Sequence, residues 1–256
     1  MAGILTYCIA MYLIGGLGAS LGYHRILTHR SAEMPKWLEY SLVLLGLPAG
    51  TPIQWAGNHR AHHMYSDQDG DPHSPHTDGF WHAHCGWYIQ SKNWLLCLLY
   101  SLAGPLRMLI DSVMRPRTNQ EHAHLAKDIK ADKFYAYISR PFVYMLIIWF
   151  YLIVIIVVPY LLFEWPGVLA ASITLTVIYN IGDAVDSIGH LFGKKTGKDE
   201  ARNNVLLGIL AFGDGWHANH HLRPQRARHG VKRNQIDLSY LVLRIGKLIG
   251  IVKKIH

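Results

Sequence analysis

Between Pro141 and Phe163 the chain runs through Ile, Val, Leu, Tyr, Trp and Phe without one charged residue. That length matches the roughly 20 residues a helix needs to cross a bilayer. In lipid every backbone group must be satisfied within the segment, so the run is expected to be helical. Leu5 to Tyr23 is a second uncharged run. No basic stretch precedes it, so it reads as a retained anchor rather than a cleaved leader. Pro166 to Val185 is a third, interrupted near its end by Asp183. Trp37 to Ala56 is apolar too but carries Glu39, Pro48, Gly50 and Pro52. Trp94 to Met114 and Leu238 to Val252 have the pattern of amphipathic helices, placed on a membrane surface or against an aqueous part.

Elsewhere the chain is dense in His, Asp and Arg. Only 16% of its 256 residues are charged, against about 25% in a soluble domain. This favours a membrane protein with a sizeable aqueous part over a secreted enzyme or a disordered chain. Cys8, Cys85 and Cys97 form no CxxC pair, so no disulfide framework is implied. The net charge of +8 suits lipid headgroups or an acidic protein partner, and with such apolar runs no nucleic-acid partner is expected.

Basic residues near the span ends set the orientation. Arg25, Arg30 and Lys36 follow the first run; Lys130, Lys133 and Arg140 precede the second; Lys194, Lys195, Lys198 and Arg202 follow the third. All place residues 24–140 and 186–256 on the cytoplasmic side, with the Glu164 turn outside. The expected architecture is a single all-α integral membrane domain over residues 1–256. Transmembrane helices are expected near 5–23, 141–163 and 166–185. Residues 37–56 are then re-entrant or interfacial, bending at Pro48–Pro52, because a straight crossing would separate two histidine clusters.

Those clusters carry the functional signal. The chain has 17 histidines. His24 and His29 form HxxxxH; His59, His62 and His63 form HxxHH; His217, His220 and His221 form HxxHH again. On a helix, i, i+3 and i+4 share one face, so each HxxHH box is expected to grip metal with its three imidazoles. His24 and His29 lie about 140° apart on an α-helix and are expected to serve different metals, unless the helix ends between them. Imidazole suits iron, zinc, copper or nickel. A lone catalytic zinc needs three protein ligands, and no Glu sits inside any box, so two metals fit better. A transport site normally lies near the bilayer midplane, whereas these boxes lie outside the runs.

The residues resemble the membrane-bound fatty acyl desaturases, the delta-9 acyl-CoA and acyl-lipid branch. The resemblance covers about residues 10 to 250. It rests on the three boxes and on Gly22-Tyr-His-Arg, Asn58-His-Arg-Ala-His-His63, Asp71-Pro-His73, His84-Cys-Gly-Trp87, Gly213-Asp-Gly-Trp-His217 and Ala227-Arg-His-Gly230. It implies a mushroom-shaped helical fold, with the transmembrane helices as a stem and a helical cytoplasmic cap holding a dimetal site of two iron ions. It also implies a ninth ligand, His190, from Asp186-Ser-Ile-Gly-His190. Three departures stand out. Asp186 replaces an Asn and becomes a candidate tenth ligand or proton acceptor. Asp183 replaces a Trp of the acyl tunnel, whose other Trp, Trp55, is kept. Gly57-Asn58 replaces an Arg-Asp pair that holds the CoA headgroup, which puts acyl-lipid or acyl-carrier-protein substrates beside acyl-CoA. Trp55, Asn58 and Asp183 are the expected substrate contacts. His84 and His229 are read as groups that orient ligand histidines, with Asp67, Asp69, Asp71 and Asp78 as carboxylate partners. The other histidines, His73 among them, are read as surface. Only one run precedes His24, where the family usually has a hairpin, so a minimal or truncated chain is expected.

The implied reaction is the oxygen-dependent insertion of a cis double bond into a saturated acyl chain. The alternative is a related di-iron hydroxylase or acetylenase. No GxGxxG and no CxxCH is present, so electrons are expected from a separate cytochrome b5-like protein or ferredoxin.

Overall fold

In the computed structural model, which describes all 256 residues, the apolar runs become two long helical units. The first covers Ala2–Thr28 and the second Pro141–Leu191, and both are long and apolar enough to cross a membrane. The second unit breaks at Glu164, whose φ of 56° and ψ of −150° are not helical. The chain doubles back there: a Cβ on Gly167 would sit 2.5 Å from the Pro159 carbonyl oxygen, an approach open only to glycine. The result is a hairpin of two apolar limbs. The first unit packs along it, with Tyr7 and Phe163 edge to face at 6.1 Å. The limbs leave Phe150, Leu161, Trp165 and Leu169 exposed, a surface that suits lipid and not water.

Past Leu17 the first helix changes winding. From Gly18 to Thr28 it is π-helical, as in the bond from His29 N to His24 O, 3.3 Å. The helix here crosses Lys36–Gly46 at very close range. A Cβ on Gly18 would lie 2.4 Å from the Leu45 carbonyl carbon, and one on Gly22 2.3 Å from the Leu42 carbonyl oxygen. Small residues four apart allow such crossings between helices.

After Gly46 the chain makes a short 3₁₀ turn, Leu47–Ala49, and a bend at Gly50 with φ 134°. Thr51 caps the next helix, Pro52–Tyr65, accepting from Gln54 N at 3.3 Å. Pro52, which has no amide hydrogen to satisfy, opens it. The Tyr23 hydroxyl donates to Gly50 O at 2.7 Å and fixes the bend. The chain therefore returns, and the second box comes back beside the first. The amphipathic segment after Trp94 is two helices, Trp94–Ser101 and Pro105–Met114, bent by 116°. Their exposed Leu95, Leu99, Leu106 and Leu109 agree with an amphipathic reading. Beyond the hairpin lie short helices, among them His217–Leu222 and the amphipathic Leu238–Leu248. Sheet is confined to two-residue pairings. One joins Ala32–Glu33 to Lys254–Ile255 and clamps the tail beside His29.

The main core lies where these parts meet. Tyr23, Leu27, Val43, Leu47, Met108, Tyr144, Ile148 and Leu175 are buried together in it.

Candidate metal centre

The eight histidines of the boxes and His190 converge as two adjoining clusters. Cluster I holds His24, His29, His59, His63 and His220; cluster II holds His62, His190, His217 and His221. In cluster I, Nε2 of His24 is 2.9 Å from that of His220, His220 2.9 Å from His63, His63 3.1 Å from His59, and His59 3.0 Å from His29. In cluster II, His217 Nε2 lies 3.0 Å from His190 Nε2 and 3.1 Å from His221 Nε2. The rings of His63 and His221, one from each cluster, are 4.4 Å apart.

This corrects one expectation and decides another in favour of its stated alternative, a helix that ends between His24 and His29. Each HxxHH box does not act as one grip but divides. His59 and His63 enter cluster I while His62 enters cluster II; His217 and His221 enter cluster II while His220 enters cluster I. On an α-helix, i+4 lies about 40° to one side of residue i and i+3 about 60° to the other. The i, i+4 pair therefore stays together and i+3 faces the neighbouring cluster. His24 and His29 do not serve separate clusters. The i→i+5 ladder of the π-helix stacks one over the other, and the helix ends at Thr28.

Carboxylates hold the rings from behind. His62 Nδ1 meets both Asp71 oxygens at 2.9 and 3.0 Å. His190 Nδ1 meets Asp67 at 2.9 Å and His221 Nδ1 meets Asp199 at 2.8 Å. His24 Nδ1 lies 3.2 Å from Asp214. Asp214 also binds the fully buried Arg25 at 2.6 Å, and Arg25 reaches Asp237 at 3.1 Å. Although burial opposes their charge, His190 holds Asp67, His62 holds Asp71, and Arg25 and His24 hold Asp214 below the usual carboxylate range.

A carboxylate on Nδ1 keeps the ring proton there and leaves Nε2 as a bare lone pair. Burial, then neighbouring rings, holds His29, His59, His63, His217, His220 and His221 well below the usual imidazole range, so these rings are neutral. His62 is the exception: burial opposes its charge, but Asp71 outweighs burial and raises it. Its Nε2 is buried with no hydrogen-bond partner. Where both facing Nε2 atoms are unprotonated, contacts of 2.9–3.1 Å repel unless a cation lies between them, and a cation there satisfies every ring at once. Imidazole nitrogens about 2.1 Å from one metal, set at right angles, lie about 3.0 Å apart. Both clusters pass this test for a divalent metal.

The other expected residues sort less evenly. Trp55 stacks on His59, with centroids 4.9 Å apart and planes at 13°. It lines an apolar cavity of about 440 Å³ between the first helix, the bend and the hairpin. The cavity runs from Tyr7 to His24 and His59, and Asp183 and Asp186 line its wall. Asp183 is also paired to the buried Arg107 at 2.6 and 3.1 Å. Asp186 belongs to neither cluster. Asn58 does not line the cavity: it is fully buried and donates to Gln54 O and Asn119 O at 2.8 and 3.0 Å. Its short amide packs the box helix onto the segment after Thr118. His84 bonds Ser187 Oγ and Asn180 Oδ1 at 2.9 and 3.1 Å, and neither of these is a cluster ring. His229 does brace cluster I, with its Nδ1 3.3 Å from Asp214 and its ring 4.4 Å from that of His220. Burial and Arg25 push His229 down to about 4.

Asp67 and Asp71 serve as anticipated, whereas Asp78 goes to Lys92 at 2.5 Å. His73, read as surface, is 1% exposed and stacks on His62 at 4.3 Å; its place two residues after Asp71 was the available signal. Asp199, Asp214 and Arg25 were not singled out. Asp214 and Arg25 do stand inside quoted motifs beside His217 and His24.

A model of the fatty acid desaturase family matches residues 2–235. The chain is 33% identical to an sn-1 stearoyl-lipid 9-desaturase of Anabaena variabilis, over 99% of this chain and 84% of that one. It is 33% identical to Delta-9 acyl-lipid desaturase 1 of Arabidopsis thaliana, over 96% and 73%. It is also 33% identical to an acyl-CoA C20 Delta5-desaturase of Anemone leveillei, over 97% and 72%.

Proposed function

The chain belongs to the fatty acid desaturase family, and we propose that clusters I and II each hold one iron ion beside an acyl chain seated in the apolar cavity. The enzyme is an oxidoreductase that desaturates fatty acyl chains. The observation that carries the iron reading is the meeting of nine imidazoles in two adjoining clusters at the head of that cavity. Two irons there supply the activation of O2 needed to remove two hydrogens from adjacent methylenes.

The chain's own residues have separable tasks. His24, His29, His59, His63 and His220 would present ring nitrogens to one ion, and His62, His190, His217 and His221 to the other. Asp71, Asp67, Asp199 and Asp214 fix the ring tautomers and orientations. Trp55 forms the cavity wall against His59 and holds the chain close to cluster I. The apolar lining from Tyr7 to Ile155 excludes water, which protects a reactive centre from side reactions. Asp186, a side chain on the cavity wall without an ion-pair partner, is placed to accept a proton; as it stands in neither cluster, the geometry does not support the tenth-ligand role. Asp183, tied to Arg107, shapes the same wall.

The membrane arrangement follows from the same reading. Helices near 5–23, 141–163 and 166–185 cross the bilayer, residues 37–56 dip in and return, and the histidine clusters face the cytoplasm. The cavity lies between the crossing helices, so the acyl chain enters from the bilayer. With Asn58 turned away from it, an acyl-lipid is the substrate best supported, in keeping with the names of the Anabaena and Arabidopsis relatives.

The test is expression in a host lacking its own desaturase, with lipid profiling and iron analysis of the purified protein. Loss of two hydrogens from lipid-bound chains and about two irons per chain are expected. Gain of one oxygen would make the enzyme a hydroxylase, and zinc without iron would overturn the iron assignment.

A further inference from the structure

We propose that the arginine-lined basin beside His29 and His63 is the docking surface of an acidic one-electron carrier protein. The proposal rests on the desaturase reading and identifies where its electrons enter. The basin measures about 1060 Å³, and its 13 lining residues include Arg30, Arg60, Arg223, Arg226 and Arg228 but no Asp or Glu. Tyr240 and Ile255 add a small apolar floor, the usual make-up of a docking face with a charged surround.

Three observations assign the basin to a partner rather than to the substrate. First, it shares no lining residue with the acyl cavity. The cavity reaches cluster I at His24 and His59, and the basin reaches it at His29 and His63. A headgroup in the basin would be separated from its own chain by the cluster. Second, the charge is only partly spent internally. Arg60 is held by Asp128 at 2.6 Å, and Arg30 by Glu39 and Asp128 at 3.2 and 3.4 Å. Arg223, Arg226 and Arg228 form no ion pair and project their charge outward. Third, their turn is anchored. Arg25 Nε donates to Ala227 O at 3.0 Å, and Ala227 N donates to His256 O at 3.0 Å. The arginines therefore sit on a platform tied to the same buried Arg25 that braces cluster I.

The electron balance requires such a partner. Reduction of one O2 to two waters takes four electrons and four protons. The two C–H bonds broken in the acyl chain provide two of each. The other two electrons must arrive singly from a carrier, with two protons from water. An acidic carrier meets complementary charge here and lands against two ring edges of the metal cluster.

The experiment uses the full chain in lipid nanodiscs, both metal-free and iron-loaded. The probes are a reduced acidic [2Fe–2S] ferredoxin and the soluble domain of a cytochrome b5. Binding kinetics are measured against salt concentration. Arg223→Glu, Arg226→Glu and Arg228→Glu should each lower the on-rate by about tenfold at low salt and flatten its salt dependence. The metal-free protein should show the same loss, so the readout does not depend on turnover. Lys194→Glu and Lys198→Glu, outside the basin, should leave binding unchanged. Wild-type binding in the arginine variants, or an equal loss in the lysine variants, would overturn the proposal. So would unchanged carrier binding with a raised KM for the acyl substrate, which would mark a headgroup site. If the host's lipids gain no double bond but carrier binding behaves as described, the desaturase reading fails and the docking surface stands. If double bonds form and the arginine variants bind normally, only the docking surface fails.

Discussion

Clusters I and II use the same side chain in different surroundings. In cluster II, His62, His190 and His221 each have their own carboxylate on Nδ1, from Asp71, Asp67 and Asp199. In cluster I only His24 has one, Asp214, and that carboxylate is shared with Arg25. Cluster I in turn borders both the acyl cavity and the arginine basin. A carboxylate behind an imidazole makes it a stronger donor and fixes its orientation. On the proposed iron reading, cluster II would retain its ion and cluster I would give access to its own. Nine histidines counted in the sequence give no hint of this inequality, because it lies in what stands behind each ring.

The comparison breaks most completely if a ligand is lost. His62→Ala takes a donor from cluster II and His220→Ala takes one from cluster I. Each should lower desaturation by more than about a hundredfold, beyond the range for an outer carboxylate. Metal analysis should then separate them, with about one iron missing in each variant. Loss of both ions from His220→Ala alone would mean that the clusters do not bind independently.

Next in size are the carboxylates. Asp71→Asn and Asp214→Asn should each weaken metal binding by roughly ten- to a hundredfold, but at different clusters. In the wild type, a chelator should remove one ion well before the other, and that ion should be the one in cluster I. Asp71→Asn should shrink the gap and Asp214→Asn should widen it. Simultaneous release of both ions from the wild type would refute the inequality.

Acid gives a smaller, graded effect. His29, His59, His63 and His220 of cluster I all have lowered pKa values from burial and neighbouring rings. Their unfolded counterparts bind protons below about 6.5 while the folded rings stay neutral, so this part of the stability is present above that pH and lost as pH falls. His62 of cluster II has the opposite sign, because Asp71 raises it against burial. Its contribution is present at low pH and fades as pH rises through its folded value. The metal-free protein should therefore lose thermal stability on going from pH 7 to pH 5. Asp71→Asn should steepen that loss. A melting temperature unchanged between pH 7 and pH 5 would contradict the lowered values in cluster I.

Much of this centre was legible because helical spacing is rigid. HxxHH twice and HxxxxH once, two of the three directly after apolar runs, pointed to the rings that meet, and the family motif added His190. The division of each box was also derivable, since i+3 and i+4 fall on opposite sides of residue i. The joining of His24 and His29 was not: it depends on a π-helix imposed where Gly18 and Gly22 press against Leu42 and Leu45, a tertiary contact with no local signature. Asn58 was misplaced for a similar reason. A position beside a ligand on a helix need not face the same way, and this amide turned to Asn119 O. The buried pair of Arg107 and Asp183 was hidden because Arg107 lies in a segment that reads as a surface amphipathic helix.

The smallest effect expected is at Asp199, which sits in a loop rich in Lys, Asp and Glu that reads as solvated surface. It bonds His221 Nδ1 at 2.8 Å, as Asp71 bonds His62, yet its side chain is 22% exposed and that of Asp71 fully buried. Partial burial raises Asp199 above the usual carboxylate value, whereas His62 holds Asp71 below it. The Asp199 charge is thus less well stabilised in place than that of Asp71, and water can reach His221 Nδ1 when Asp199 is removed. Asp199→Asn keeps an oxygen to accept from the ring and removes only the charge. Its cost in metal binding should fall at or below the lower end of the range for such partners, about tenfold, and it should be confined to cluster II. A loss matching that of Asp71→Asn would mean that charge alone, regardless of burial, sets how tightly cluster II holds its ion.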